Sequence, residues 1–396
     1  MPSMLRKSIL ALGALLCACQ TQPSRQSPAS APVVSLGDLQ HLETPQLRST
    51  VVFTTRAYDS LPLGRFVDAR FLPDSTLVIS RETDLLVFSP TGELLRRLGR
   101  GGDGPGEYSR AWRLGIADDG TLLVGDFWNG RVTLLAPPRL RTIPFLGSPA
   151  PSYEMEPLAL LSDKRILATY WQRRPNRDEP GLRVRGVERD SAPLLLFDST
   201  GTFQRHLATW PGLERSRVLV AGEPGRLPPP YAQTTLTQGR GSFVAVTTTD
   251  SLDLSLYEDT LVALRLTGHG VTRAPTPADL ETWKEGVRAD LPDVAPLYLA
   301  AVAQARPERR PLLTGLGLGE GGELWLGLAP EPTDTTQRWL LVSQTGKLVA
   351  GVDLPTSGTH ALPGFRDLLD VAGRRVALFR ETPEGEPYVE VRAVHP

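Results

Sequence analysis

The chain has 396 residues, with 43 basic against 44 acidic side chains, so it offers no basic face to a nucleic acid. Apolar residues at 40% and charged residues at 22% exclude a disordered chain, and 37 glycines with 36 prolines demand many turns, as many short strands do. Both cysteines, Cys17 and Cys19, lie at the N-terminus, which rules out a disulfide, a thiolate zinc site or a cysteine nucleophile in the rest of the chain.

In chain order, Arg6 and Lys7 form a short positive region, followed by an apolar run from Ser8 to Leu16. That run is too short to span a bilayer as a helix but fits the core of a signal peptide. It ends in Leu16-Cys17-Ala18-Cys19, which resembles a bacterial lipobox with lipidation at Cys19. The alternative is a plain signal peptide releasing a soluble periplasmic product. Two or three acyl chains, at about 0.8 kcal/mol per buried CH₂, would anchor the protein in a membrane without a transmembrane helix. Gln20 stands where an aspartate often retains lipoproteins in the inner membrane, which points to the outer membrane. The expected organisation is a signal peptide at 1–18, a lipidated cysteine and Gln/Ser/Pro-rich tether at 19–46, and one domain at 47–396.

That domain repeats itself. Phe71-Leu-Pro-Asp-Ser-Thr-Leu-Val-Ile-Ser80 matches Ile116-Ala-Asp-Asp-Gly-Thr-Leu-Leu-Val-Gly125, with Asp74 and Asp119 separated by 45 residues. Asp163 follows 44 residues later in Leu160-Leu-Ser-Asp-Lys-Arg-Ile-Leu-Ala168. Each copy reads as strand, turn and strand. A third strand and a second turn follow, the latter shared by Ser89-Pro-Thr-Gly92, Asp198-Ser-Thr-Gly201 and Ser343-Gln-Thr-Gly346. Four strands per repeat of this length is the period of a β-propeller blade. A single such sheet cannot cover its own two apolar faces, and stacking around an axis covers both.

The expected fold is therefore all-β: a six-bladed propeller of four-stranded antiparallel blades near 63–99, 109–147, 153–210, 238–268, 311–354 and 364–395. Five or seven blades remain open, because the fourth and sixth copies match least. Thr50–Thr55 would close the ring by joining the last blade. Trp171–Ser191 interrupts the third blade. A small helical insertion, about 276–306, follows the fourth. It starts with Thr276 and Pro277, and Leu280, Trp283, Val287 and Leu291 form its apolar stripe.

Asp126-Phe-Trp-Asn129-Gly-Arg131-Val132, after Asp118-Asp-Gly-Thr-Leu-Leu-Val, resembles an NHL repeat. Gly99-Arg-Gly-Gly-Asp-Gly-Pro-Gly-Glu-Tyr108 is similar to a loop common in six-bladed propeller lipoproteins of bacteria. The resemblance implies the fold; such propellers include binding proteins, lyases and hydrolases, so it does not imply one activity.

The glycine-rich loop can approach a ligand closely or bind an anion through its N–H groups. It lacks the Lys-Ser/Thr of a P-loop, and it joins two strands. Asp103, Glu107, Tyr108, Arg110 and Trp112 are its candidate ligand-binding groups, with Asp126, Trp128 and Arg131 beside it. Asp126, Asn129 and Arg131 equally suit a structural role across a tight turn. His206, His269 and His360 have no ligand spacing, and no Gly-x-Ser-x-Gly elbow occurs, so neither a metal, a cofactor nor a catalytic residue is assigned. The leading expectation is a binding or scaffold module for a protein, peptide or glycan, anchored at the envelope. The alternative is a periplasmic hydrolase or lyase with an axial site.

Overall fold

A computed structural model describes residues 31–396 apart from 58–62, 64–67, 137, 150–154, 171–186, 221–222, 292, 304, 306, 357–366 and 383. The signal peptide, Cys19, the Trp171–Arg177 tract and His360 lie outside the described residues.

The first two strands, β1 (Val33–Asp38) and β2 (Gln46–Thr54), join sheets built by later parts of the chain. β3 (Ala69–Phe71), β4 (Leu77–Arg81), β5 (Asp84–Phe88) and β6 (Leu94–Leu98) make an antiparallel four-stranded sheet. A short parallel pair follows, β7 (Arg100–Gly101) with β8 (Glu107–Tyr108). β9 (Ala111–Ile116), β10 (Leu122–Asp126), β11 (Arg131–Ala136) and β12 (Arg139–Pro144) make the second four-stranded sheet. The third has five strands, β13 (Met155–Leu160), β14 (Ile166–Tyr170), β15 (Val187–Phe197), β16 (Phe203–Val220) and β17 (Glu223–Leu227). The fourth holds β18 (Thr235–Arg240), β19 (Phe243–Thr248), β20 (Leu252–Glu258) and β21 (Leu261–His269), with β1 added parallel at its outer edge.

After helices α1 (Pro277–Asp290) and α2 (Ala295–Val302) come β22 (Leu313–Leu318), β23 (Leu324–Leu328), β24 (Thr336–Val342) and β25 (Leu348–Pro355). The chain ends with β26 (Leu368–Ala372), β27 (Arg375–Glu381) and β28 (Pro387–His395). These seven strands and β2 form one eight-stranded sheet in the order β22-β23-β24-β25-β2-β28-β27-β26.

The architecture is all-β and propeller-like. The first strands touch in a closed cycle, β3 to β9, β13, β18, β22, β26 and back to β3. Strand periodicity explains the packing. Successive side chains point to opposite faces, so Leu85 and Val87 meet Leu114, Leu122 and Val124 of the second sheet, while Leu86 and Phe88 meet Phe379, Val389 and Val391. The same arithmetic fills every neighbouring interface, for example Leu254, Leu256 and Leu266 against Leu316, Leu324 and Leu326.

The repeated turns have a common mechanism. Oδ1 of Asp74, Asp119 and Asp163 accepts the backbone N–H two residues on, at 3.0, 3.0 and 3.1 Å. The residue after each aspartate, Ser75, Gly120 or Lys164, takes a positive φ of 65°, 80° or 67°.

Three expectations are corrected. In place of six separate blades there are four separate sheets and one of eight strands, because β2 pairs parallel with β25 through Gln46 and Leu47 and antiparallel with β28 from Arg48 onward. The tether does not reach residue 46. Val33, Val34 and Ser35 pair with Arg265, Leu266 and Thr267, and Leu39 is buried. Nor is all of 171–191 an insertion, since Val187–Ser191 begins β15, which runs beside the long β16. The helices lie where the sequence puts them. Thr276 and Asp279 form a capping box, and Trp283 and Val287 pack with Tyr298 and Val218 of β16. No described helix is long and apolar enough to cross a membrane.

Close approach at the first strands yields a test. A Cβ on Gly239 would lie 2.0 Å from the Leu158 carbonyl oxygen, backbone against backbone, while one on Gly115 would lie 3.4 Å from the same atom. Gly239→Ala should cost about 3 kcal/mol in urea unfolding and Gly115→Ala under about 1 kcal/mol. Equal costs would show that the two first strands do not approach as described.

Candidate functional site

The ring's centre is built from charges that sit singly in apolar first strands. Arg70 on β3, Arg113 on β9, Glu156 on β13, Arg240 on β18 and Asp370 on β26 are all buried, as is Asp68 just before β3. Three guanidinium groups thus oppose three carboxylates. Arg70 donates from Nη1 to Asp68 Oδ1 at 2.6 Å and to the Leu369 carbonyl at 2.8 Å. Asp68 accepts the Leu114 N–H at 2.9 Å, and Asp370 accepts the Phe71 N–H at 2.7 Å. Asp68 and Asp370 therefore each take a backbone donor from the next sheet in the cycle.

Two arginines reach further. Arg113 donates to the Thr237 carbonyl of β18 at 2.8 Å. Arg240 donates to both oxygens of Asp370, at 3.0 and 2.8 Å, and to Glu320 at 3.1 Å. Neither β9 and β18 nor β18 and β26 are neighbours in the cycle, so these bonds cross the centre. Burial lowers the pKa of Arg113; for Arg240 burial acts the same way, but Asp370 and Glu320 outweigh it and raise the value. Most of this set binds strand to strand, but Arg70 Nε and Nη2 and Arg113 Nε are buried with no hydrogen-bond partner among the described residues.

The residues chosen from the sequence divide into two groups. The first holds the glycine-rich loop from inside. Asp126 is buried, and its Oδ1 accepts the Ser109 N–H, the Ser109 hydroxyl and the Arg110 N–H at 3.1, 2.7 and 3.0 Å. Its Oδ2 accepts Asn129 at 2.8 Å and Arg131 Nε at 3.2 Å. Arg131 then donates to the carbonyls of Asp103, Gly104 and Glu107, at 2.6, 3.2 and 2.9 Å.

The loop thus turns carbonyls onto an internal cation instead of offering N–H groups to an anion. One of its N–H groups, that of Gly104, is taken by Glu107 Oε2 at 2.9 Å, while Glu107 Oε1 accepts Arg100 at 2.8 Å. Tyr108 is 1% exposed, and burial pushes its hydroxyl up to about 12. Of these groups Tyr108, Asp126 and Arg131 are turned inward, which corrects their assignment to a ligand face. Asp103 remains exposed.

The second group forms a ladder leading outward. The Arg110 guanidinium lies 4.6 Å from the Trp112 ring centre. Trp112 and Phe127 are 5.9 Å apart, and Phe127 and Trp128 meet edge-on at 4.9 Å. Phe127 is buried, while Trp128 is 57% exposed. Phe127, Trp128 and Asn129 lie in the turn between β10 and β11, which Asp126 and Arg131 brace.

Among the described histidines, His41 and His269 both lie near Asp38 and the others stand apart. His41 pairs with Asp38 at 2.9 Å, His206 with Thr209 at 2.6 Å and His395 with Thr50 at 3.0 Å. Among the described residues no three His, Cys, Asp or Glu side chains are grouped as a metal site.

No family model and no curated protein matches the chain. Among solved structures, a Bacteroides fragilis protein described as exported aligns over 92% of this chain and 100% of its own, at 12% identity and a TM-score of 0.49. A gluconolactonase of Xanthomonas campestris aligns over 88% of this chain and 90% of its own, at 13% identity and a TM-score of 0.42. Virginiamycin B lyase of Staphylococcus aureus aligns over 83% and 79%, at 9% identity and a TM-score of 0.34.

The axial and loop networks make separable predictions. Asp370→Ala leaves Arg240 and the Phe71 N–H buried without their acceptor and should cost about 3–5 kcal/mol in denaturant unfolding. Arg131→Ala should leave global unfolding nearer its original midpoint but speed amide exchange across 99–108 by at least about tenfold. Unchanged exchange there would remove Arg131 as the loop's support.

Proposed function

We propose that the chain is a lipid-anchored binding module of the bacterial envelope, with Arg110, Trp112 and Trp128 offered to a protein, peptide or glycan ligand. On this reading Cys19 carries the lipid, the membrane is the outer one, and the chain is an NHL-like propeller. The eight-stranded sheet acts as two blades joined at their outer edges by β2, which makes the ring six-bladed. Packing of Trp325, Trp339 and Val352 in one half against Leu368, Val376 and Leu378 in the other supports that count.

One observation carries the binding reading. Four of the six buried charges at the ring's centre are tied in the Arg70–Asp68 and Arg240–Asp370 pairs, while an exposed tryptophan stands on a braced turn nearby. Catalysis at a propeller axis needs acids or bases free to meet a substrate. Asp68 and Asp370 are committed to arginines and backbone N–H groups. A rigid Trp backed by aromatic rings and a cation suits sugar rings and apolar or proline-rich peptides.

The test is tryptophan fluorescence of the purified mature protein, titrated with panels of neutral oligosaccharides, acidic oligosaccharides and proline-rich peptides. At least one panel should bind, and Trp128→Ala should weaken that binding by roughly tenfold or more, about 1.4 kcal/mol or above, at an unchanged melting temperature. Binding indifferent to Trp128, or turnover of an oligosaccharide without the ladder's involvement, overturns the reading. In a bacterial host producing the chain, Cys19→Ser should abolish incorporation of labelled palmitate.

A further inference from the structure

A concave site lies apart from the aromatic ladder. It is a groove of about 580 Å³ formed where the N-terminal segment after β1 passes the connectors that flank the helices and the β23–β24 turn. That volume lies within the usual range for small-ligand sites. Leu39, Leu42, Leu312 and Leu328 give it apolar lining, and Arg273 and Arg310 bring cations to it.

The two arginines converge on one oxygen. Glu331 Oε2 accepts Arg273 Nη2 at 2.7 Å and Arg310 Nη1 at 2.5 Å. The three side chains differ in their freedom. Arg310 is 6% exposed, its guanidinium lies 5.7 Å from the Tyr231 ring centre, and it also donates to the Pro330 carbonyl. Its Nε is buried with no hydrogen-bond partner. Arg273 is fixed on its other side by Asp279, the capping carboxylate of α1. The Glu331 side chain, by contrast, is 56% exposed and sits on the turn between β23 and β24.

A half-exposed ion pair contributes little, whereas an unsatisfied buried donor costs about 1–3 kcal/mol. Arg310 is therefore the fixed part of this arrangement, Arg273, with its side chain 42% exposed, is held by Asp279, and the Glu331 carboxylate is the exchangeable part. Asp279 pairs with Arg273 and Asp353 lies near Arg338, so with Glu331 turned away Arg310 loses its carboxylate partner, although Asp334 remains on the same lining.

We propose that this groove binds a small amphipathic acid, with one carboxylate or phosphate taking the place of Glu331 between Arg273 and Arg310 and its apolar body lying over the leucines. Glu331 is then an internal competitor that keeps the clamp paired until the ligand arrives. The site is independent of the Trp128 ladder, and either can fail without the other.

Isothermal titration of the full chain carrying Cys19→Ser, which needs no detergent, tests the site with octanoate, octyl phosphate, octanol, acetate and inorganic phosphate as probes. Octanoate or octyl phosphate should bind at least tenfold more tightly than octanol, acetate or phosphate, and the stronger of the two identifies the head group. Glu331→Gln should tighten that binding at least fivefold, and Arg273→Gln should weaken it at least tenfold. Trp128→Ala should leave it unchanged. No binding of either amphipathic acid to the Glu331→Gln chain, octanol binding as tightly as octanoate, or affinities indifferent to both substitutions would overturn the proposal. A circular dichroism spectrum matching the parent for each variant separates loss of the site from loss of the fold.

Discussion

The narrowness of the ring's centre constrains everything else in this protein. First strands that approach until a glycine nearly touches a neighbouring carbonyl leave no room for a packed apolar plug. The few side chains that enter must satisfy one another. Arg70, Arg113 and Arg240 do so only in part, donating to the Leu369 carbonyl, the Thr237 carbonyl and Asp370 of other sheets, while Arg70 Nε and Nη2 and Arg113 Nε stay without a partner among the described residues. Buried ion pairs carry a large desolvation cost, so their net contribution to stability is modest even where breaking one is severe. What they add is direction. The interfaces between sheets are made mostly of leucine and valine, which attract without fixing a register. A bond such as Asp370 to the Phe71 N–H exists in one register only.

The N-terminal segment answers the opposite problem, at the rim. Outer strands present unpaired backbone groups that invite association with other chains. β1 covers β21, and β2 bridges β25 and β28, so one continuous stretch protects three outer edges. Between the two strands Gln40 donates to the Val271 carbonyl at 3.0 Å and accepts the Val271 N–H at 3.2 Å, imitating a strand pair with its amide. A segment that reads as a linker is thus part of the domain.

The sequence disclosed what is local and periodic. The Asp-x-Thr turns, the Ser/Asp-x-Thr-Gly turns and the cap at Thr276 each act over a few residues, and their hydrogen bonds are those the spacing implies. The axial network escaped because each member is a lone charge in an apolar run, and its partner lies far along the chain. Arg240 and Asp370 are 130 residues apart, and Arg113 lies 124 from Thr237. β1 escaped because serine and proline around it set the composition, although Val33, Val34 and Leu36 were there to be read. The joined sheet escaped because counting repeats says nothing about which edges pair. At the candidate site, glycines suggested an anion cradle. Their flexibility instead lets three carbonyls curl onto Arg131, which composition cannot distinguish from N–H groups curling onto a ligand.

That inversion bears on where recognition can occur. A loop whose carbonyls are spent on an internal guanidinium, and whose glutamate is spent on its own backbone and on Arg100, has few groups left for a guest. Its work is to hold the β10–β11 turn steady from below. Steadiness is what an exposed tryptophan needs in order to bind well, since a side chain already immobilised loses less entropy when a partner arrives. Asp126 links the two roles. Through one oxygen it anchors Ser109 and Arg110, the latter stacked on Trp112, and through the other it holds Asn129 and Arg131 beside Trp128. A buried carboxylate thereby sets the spacing of Arg110, Trp112 and Trp128.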